Sequence, residues 1–249
     1  MWKEKFIQYL RYERNYSSQT EISYLKDLTQ FQEFVIAECG AIDWNEIDSD
    51  LIRFWISRLM EEGMKARSVN RKLSALKSFF RYLKKNDVIL QNPAEQVSGP
   101  KITKRLPTFV NNDDLNKVID DPFAFDNDFR GHRDRFLIEL FYLTGMRQAE
   151  LISLKDSDID FTYNTLRVTG KRNKQRLIPF SDETKEKLEH YIEKRNQEIA
   201  NKSPFLFVKE DGDPLYPKLV YRVIHNHLNS ISTLSKKSPH VLRHSFATG

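Results

Sequence analysis

The stretch from Gln91 to Pro107 holds Pro93, Pro100, Pro107 and Gly99, and its few apolar residues do not recur at helical spacing. Proline fixes φ and removes a backbone donor, so no helix can run through this stretch. The chain must therefore fold as two parts, 1–90 and 108–249, joined by a linker over 91–107. At about 100 to 200 residues per domain, both parts can bury a core. Of the 249 residues, 39% are apolar and 30% charged, with 8 Gly and 9 Pro, which is a helix-rich globular balance. Disordered and collagen-like chains are excluded. The longest strongly apolar stretch, Phe136 to Thr144, is interrupted by Glu139 and falls far short of the roughly 20 residues that a membrane span needs. The N-terminus has no apolar leader pattern, and Cys39 is the single cysteine, so no intrachain disulfide can form. The expectation is a cytoplasmic protein with no membrane attachment.

The first part reads as four helices. Apolar residues Phe6, Tyr9 and Leu10, then Ile22, Leu25, Phe31, Phe34 and Val35, recur at spacings of three and four. Ser17-Ser18 offers an N-cap to the second helix, and Gly40 stops it. A third helix is expected from Asp50 to about Glu62, ending at Gly63, and a fourth from Ser68 to Lys85. The fourth would bury Val69, Leu73, Leu76, Phe80 and Leu83. Its opposite stripe is Arg71, Ser74, Ser78, Arg81 and Lys85.

Charge is unevenly distributed. Residues 1–63 hold 7 basic and 12 acidic side chains, a net of −5; residues 64–105 hold 11 and 2, a net of +9; the remainder is nearly balanced, within an overall +5. Such a basic block beside an acidic one suits a polyanion-facing surface. Small residues between the cations let a helix approach a phosphate backbone closely, which favours DNA. Arg67, Arg71, Lys77, Arg81 and Lys85 are the candidate contacts. A solvated helix face followed by a basic linker would produce the same counts.

In the second part, Asn111-Asn112-Asp113 can cap a short helix. His132 to Leu143 carries a dense apolar face that Thr144-Gly145 breaks, and another helix starts near Arg147. Thr165 to Thr169 and Leu177 to Phe180 read as two short strands joined by a basic turn from Gly170 to Arg176. Ser181 caps a charged helix running to about Asn201. Phe205 to Val208 reads as a strand, and Pro217 to Asn229 as a helix. Ser238-Pro239 opens a last helix that carries His240, Arg243 and His244.

Three segments belong together: Leu143-Thr-Gly-Met-Arg147-Gln-Ala-Glu150-Leu151, then Gly170-Lys171-Arg-Asn-Lys-Gln-Arg176, then His240-Val-Leu-Arg243-His244. In order, spacing and helix-hairpin-helix context they resemble the catalytic signature of the tyrosine site-specific recombinases, the phage integrases and Xer-type enzymes. The resemblance extends over nearly the whole chain. It implies a mainly α fold: a four-helix, SAM-like core-binding domain, then an α-rich catalytic domain with a small β-hairpin. The two would clamp double-stranded DNA between them.

The chemistry can be argued from the residues. Phosphoryl transfer builds negative charge on the nonbridging oxygens of a phosphodiester, and without a metal that charge must meet fixed donors. Guanidinium groups suit this, being always charged and able to donate in pairs. The resemblance makes Arg147 and Arg243 those two arginines. It makes Lys171 the general acid for the leaving 5′-oxygen, with Lys174 as the alternative, and His240 a hydrogen-bond donor and acid/base; as members of a basic hairpin tip, Arg172 and Lys174 are also candidate phosphate contacts. Glu150 could orient Arg147. It implies no cofactor.

His240 and His244, and His225 with His227, could pair on a metal, but Val241 stands where a zinc protease motif needs Glu, and no thiolate or acidic cluster accompanies them. The family pattern continues with a Gly-His pair and then the tyrosine that forms a 3′-phosphotyrosyl link. Here the last tyrosine is Tyr221. The expectation is a chain that binds DNA without cleaving it, monomeric when free, from a parent that acts as a tetramer on DNA. A natural DNA-binding regulator that occupies sites without cutting, and a type IB topoisomerase-like enzyme, are the alternatives.

Overall fold

The computed structural model describes residues 2–103, 112–170, 173–230 and 237–246. The described residues are mostly helical, and the chain divides into two compact units, Met1–Lys104 and Arg105–Gly249.

The first unit is built from α1 (Trp2–Tyr12), α2 (Ser18–Cys39), α3 (Ser49–Glu61) and α4 (Ala66–Lys85). The caps explain the boundaries. Ser17 accepts from the Thr20 amide and Asp48 from that of Leu51, satisfying donors that the first helical turn leaves unpaired. α4 packs against the other three, because Val69, Leu73, Leu76, Phe79, Phe80 and Leu83 give it a wide apolar face. Aromatic rings fill the centre: Trp55 meets Phe31 edge-on at 5.0 Å, and Trp44 meets Phe79 likewise at 4.9 Å.

Two sequence expectations differ here. Ile22 and Leu25 are exposed, while Glu21 and Asp27 are buried. α2 is rotated so that Glu21 accepts from Arg11, and Asp27 from Arg71 and Lys72. A buried carboxylate with cationic donors replaces an apolar contact on that face. The segment from Gln91 is also irregular without being free. Ala94 and Val97 are buried in the first core. Beyond them Asn70 Nδ2 donates to the Pro100 carbonyl at 2.8 Å, and a Cβ on Gly99 would lie 1.9 Å from Asn70 Oδ1. The chain is held against α4 through Pro100.

The second unit contains α5 (Asn112–Asp120), α6 (Phe129–Thr144), α7 (Gln148–Ser153), β1 (Ile159–Asp160), β2 (Thr165–Thr169), β3 (Gln175–Pro179), α8 (Asp182–Glu198), α9 (Pro217–His227) and α10 (Pro239–Phe246). The expected cap at Asn111 lies outside the described residues. α6 buries Phe136, Leu137, Ile138, Leu140 and Phe141, and α8 and α10 pack against it. The strands form an antiparallel sheet in the order β1-β2-β3, with Val168 opposite Arg176 and Thr169 opposite Gln175. The third strand, β1, was not legible in so short a segment. Phe205 to Val208 is not a strand of this sheet. It makes single bridges, Lys155 to Phe205 and Val208 to Pro214, while Leu206, Phe207 and Val208 are buried. Its apolar run serves the core.

Candidate active site

Gly145 ends α6 in the left-handed conformation, φ 53° and ψ 22°, its N–H donating to the Phe141 carbonyl. That turn brings Arg147 to the N-cap of α7. Met146 and Leu151, both fully buried, pin the segment on either side. The Arg147 side chain is left 51% exposed. Glu150, at the third helical position, accepts the Arg147 backbone N–H at 2.6 Å, one half of a capping box.

The Glu150 carboxylate is 2% exposed and organises the site. It accepts from Arg147 Nη1 at 2.8 Å and from Arg176 through both Nη atoms, each at 2.8 Å. Burial works against its charge, but the hydrogen bonds from Arg176, the Arg147 amide and the Arg147 guanidinium outweigh it. They hold the carboxyl down to about 2. Gly170 closes the arrangement from the β2–β3 hairpin. A Cβ there would come within 3.1 Å of Glu150 Oε1 and 3.4 Å of Arg147 Nη1, so glycine lets the hairpin approach the pair.

α10 supplies the opposite wall. Val241 and Leu242 are buried and anchor it, which turns Arg243 toward Glu150, Nη1 to Oε2 at 4.0 Å. That Nη1 is buried and makes no hydrogen bond. Burial first, and then the charge of Arg147, push the Arg243 guanidinium below its ordinary range. Arg147, Gln148, Ala149, Pro239, His240 and Arg243 line one cleft of about 230 Å³ with Phe141 as its apolar wall. The site thus gathers three guanidinium groups around one carboxylate, an arrangement suited to a bound oxyanion.

Of the residues expected from sequence, Arg147, His240 and Arg243 share this cleft. Lys171 and Arg172 lie outside the described residues. Lys174 is exposed beside them, its carbonyl accepting from the Gly170 N–H at 2.8 Å. Arg176, expected in a basic turn, lies on β3 and faces inward. The signal was available in strand alternation, since Arg176 shares a face with buried Ile178.

The other expected DNA contacts lie on α4. Arg67, Arg71, Arg81 and Lys85 are exposed, Lys77 half-buried, and Ser74 and Ser78 fall between them. Arg71 differs from the rest. Its guanidinium is engaged by the buried Asp27, with Nη2 on Oδ1 at 2.9 Å, and also meets Ser23. Lys72 joins the same carboxylate at 2.9 Å.

Residues 4–87 match the family model for the phage integrase N-terminal SAM-like domain, and residues 108–249 match that of the phage integrase family itself. The chain belongs to the phage integrase family, the tyrosine site-specific recombinases. It is 32% identical to the tyrosine recombinase XerC of Chlorobaculum tepidum over 272 residues, covering 99% of this chain and 81% of that protein. It is 34% identical to XerC of Bacillus licheniformis over 247 residues, 98% and 80% of the two chains. The fold matches that of the XerH site-specific recombinase in a post-cleavage complex with difH substrate, at a TM-score of 0.77 and 24% identity over 99% of this chain and 72% of that one. It also matches a lambda integrase tetramer bound to a Holliday junction, at 0.72 and 20% over 99% and 68%.

Proposed function

We propose that the Arg147–Arg243 cleft binds the scissile phosphate of duplex DNA in site-specific recombination. The observation that carries this is the buried Arg243 Nη1, which has no hydrogen-bond acceptor, in the cleft beside Arg147. A buried guanidinium donor left without an acceptor is unfavourable, and a phosphate oxygen would satisfy it. Arg147 and Arg243 then stabilise charge on the nonbridging oxygens, and His240 donates from the rim. Lys171 protonates the 5′-oxygen as its bond to phosphorus breaks and the tyrosine oxygen bonds to phosphorus in its place. The covalent link keeps the phosphodiester energy, so the reaction needs neither metal nor nucleotide.

In this reading the 1–90 domain contributes α4 to DNA binding and 108–249 forms the catalytic domain. No tyrosine is among the described residues that line the cleft, so these 249 residues alone bind DNA without forming a covalent adduct. The free chain is a monomer that assembles on paired sites, and it acts in the cytoplasm. Gel-shift titration should give salt-dependent duplex binding, weakened about tenfold by Arg147→Ala or Arg243→Ala, the scale of one charge-assisted hydrogen bond. Wild-type affinity in both variants would refute the assignment of the cleft. A denaturant-stable adduct on a nicked duplex would refute binding without cleavage.

A further inference from the structure

We propose that Arg176 is a positioning residue for Arg147, acting through Glu150; this rests on the phosphate-binding role of the cleft. A buried carboxylate offers about four lone-pair directions. At Glu150 these are divided unequally. Arg176 takes one on each oxygen with its two Nη atoms, the Arg147 backbone N–H takes another on Oε2, and the Arg147 guanidinium is left a single contact, Nη1 to Oε1.

The division matters because an arginine beside an unoccupied carboxylate tends to pair with it through two parallel bonds. Arg147 engaged in that way would turn two donors from the cleft toward Glu150. By saturating the carboxylate from the β3 side, Arg176 limits Arg147 to one bond and leaves its other donors available for a ligand. Strand register supports the assignment. Arg176 and Ile178 lie on the inward face of β3 while Gln175, Leu177 and Pro179 are exposed, so the side chain is directed at α7 by the sheet. Hydrogen bonding to Glu150 also raises the affinity of Arg176 for its proton. A guanidinium with both Nη atoms so engaged is poorly placed to grip phosphate itself.

The test is a double-mutant cycle on duplex DNA binding by the full chain, with affinity measured against salt concentration. Arg147→Ala is expected to weaken binding about tenfold and to shallow the logarithmic salt slope by about one contact. Arg176→Gln should weaken it about fivefold, and Arg176→Lys less, because one ammonium occupies only part of the carboxylate. The double variant Arg147→Ala/Arg176→Gln should bind no more weakly than Arg147→Ala alone.

Additive losses would make Arg176 a direct phosphate contact and overturn the proposal. So would full affinity in Arg176→Gln while Arg147→Ala is weakened. Unchanged binding in Arg147→Ala would instead refute the cleft assignment on which the proposal depends. Thermal midpoints separate positioning from folding: a positioning loss persists well below the midpoint, whereas a purely structural one disappears there. Should Arg176→Gln fail to fold, the cycle runs with Arg176→Lys, and additivity there overturns the proposal equally.

Discussion

Replacing Glu150 by Gln keeps the shape of the side chain and removes the charge on which three guanidiniums converge. A carboxyl that titrates at about 2 in the folded chain and 4.5 in the unfolded one contributes at most about 3 kcal/mol of stability above pH 5. The arginines around it are 51%, 39% and 32% exposed, so solvent screening reduces this to about 2 kcal/mol. Because the folded-state value is depressed, the stabilisation is fully present above the unfolded value and is lost as pH falls from about 5 toward 2. The arginines stay charged throughout that window.

Urea unfolding of wild type and Glu150→Gln at about pH 7 and pH 3, at fixed ionic strength, measures the difference. At neutral pH the variant should be less stable by about 2 kcal/mol, and the gap should roughly halve by pH 3. The chain provides its own control. Its three tryptophans, Trp2, Trp44 and Trp55, all lie in the first unit, so their fluorescence follows that unit, whereas far-ultraviolet circular dichroism follows both. The fluorescence transition should not move. An equal gap at both pH values would refute the assignment of the stability to the Glu150 charge, as would a shift confined to fluorescence.

Four further outcomes follow from the same contacts. Sulfate or inorganic phosphate at about 0.1 M should raise the thermal midpoint of the second unit by a few degrees through Arg243. Calorimetry should show that increment abolished in Arg243→Ala. On α4, Arg81→Ala/Lys85→Ala should weaken DNA binding across all sequences and shallow its salt slope by about two contacts. Arg71→Ala should instead destabilise the first unit by about 1 kcal/mol, since it strips a partner from buried Asp27; tryptophan-monitored unfolding distinguishes the two. Gly170→Ala places a methyl 3.1 Å from Glu150 Oε1 and should weaken duplex binding several-fold with less than about 1 kcal/mol of destabilisation, read by gel shift and calorimetry together.

Much of the architecture was legible where one residue type has one job. Ser17 caps α2 and Gly40 ends it, α4 ends at Lys85 as its apolar period does, and β2 spans Thr165–Thr169 as read. Legibility failed where two charges substitute for an apolar contact. Apolar periodicity ranks Ile22 and Leu25 above Glu21 and Asp27, and nothing local reveals that Arg11 approaches from α1 and Arg71 and Lys72 from α4. The same limit applied at the site. Arg147 and Arg243 were marked by their motifs, and Glu150 by its spacing from Arg147. Arg176 was hidden among the basic residues of its turn, because its role depends on which face of a strand meets a helix distant in sequence.

The fastening of Gly99 and Pro100 to Asn70 changes where the N-terminal domain ends. A fragment cut at residue 90, just before the proline-containing stretch, would discard Ala94 and Val97, both buried in the first core. It would also leave Asn70 without the Pro100 acceptor. A fragment ending after Lys101 retains both residues and the hydrogen bond. Dissection of this chain into separately studied halves should therefore cut after the lock, and a protease probing the intact molecule should leave residues 91–100 attached to the helices before them.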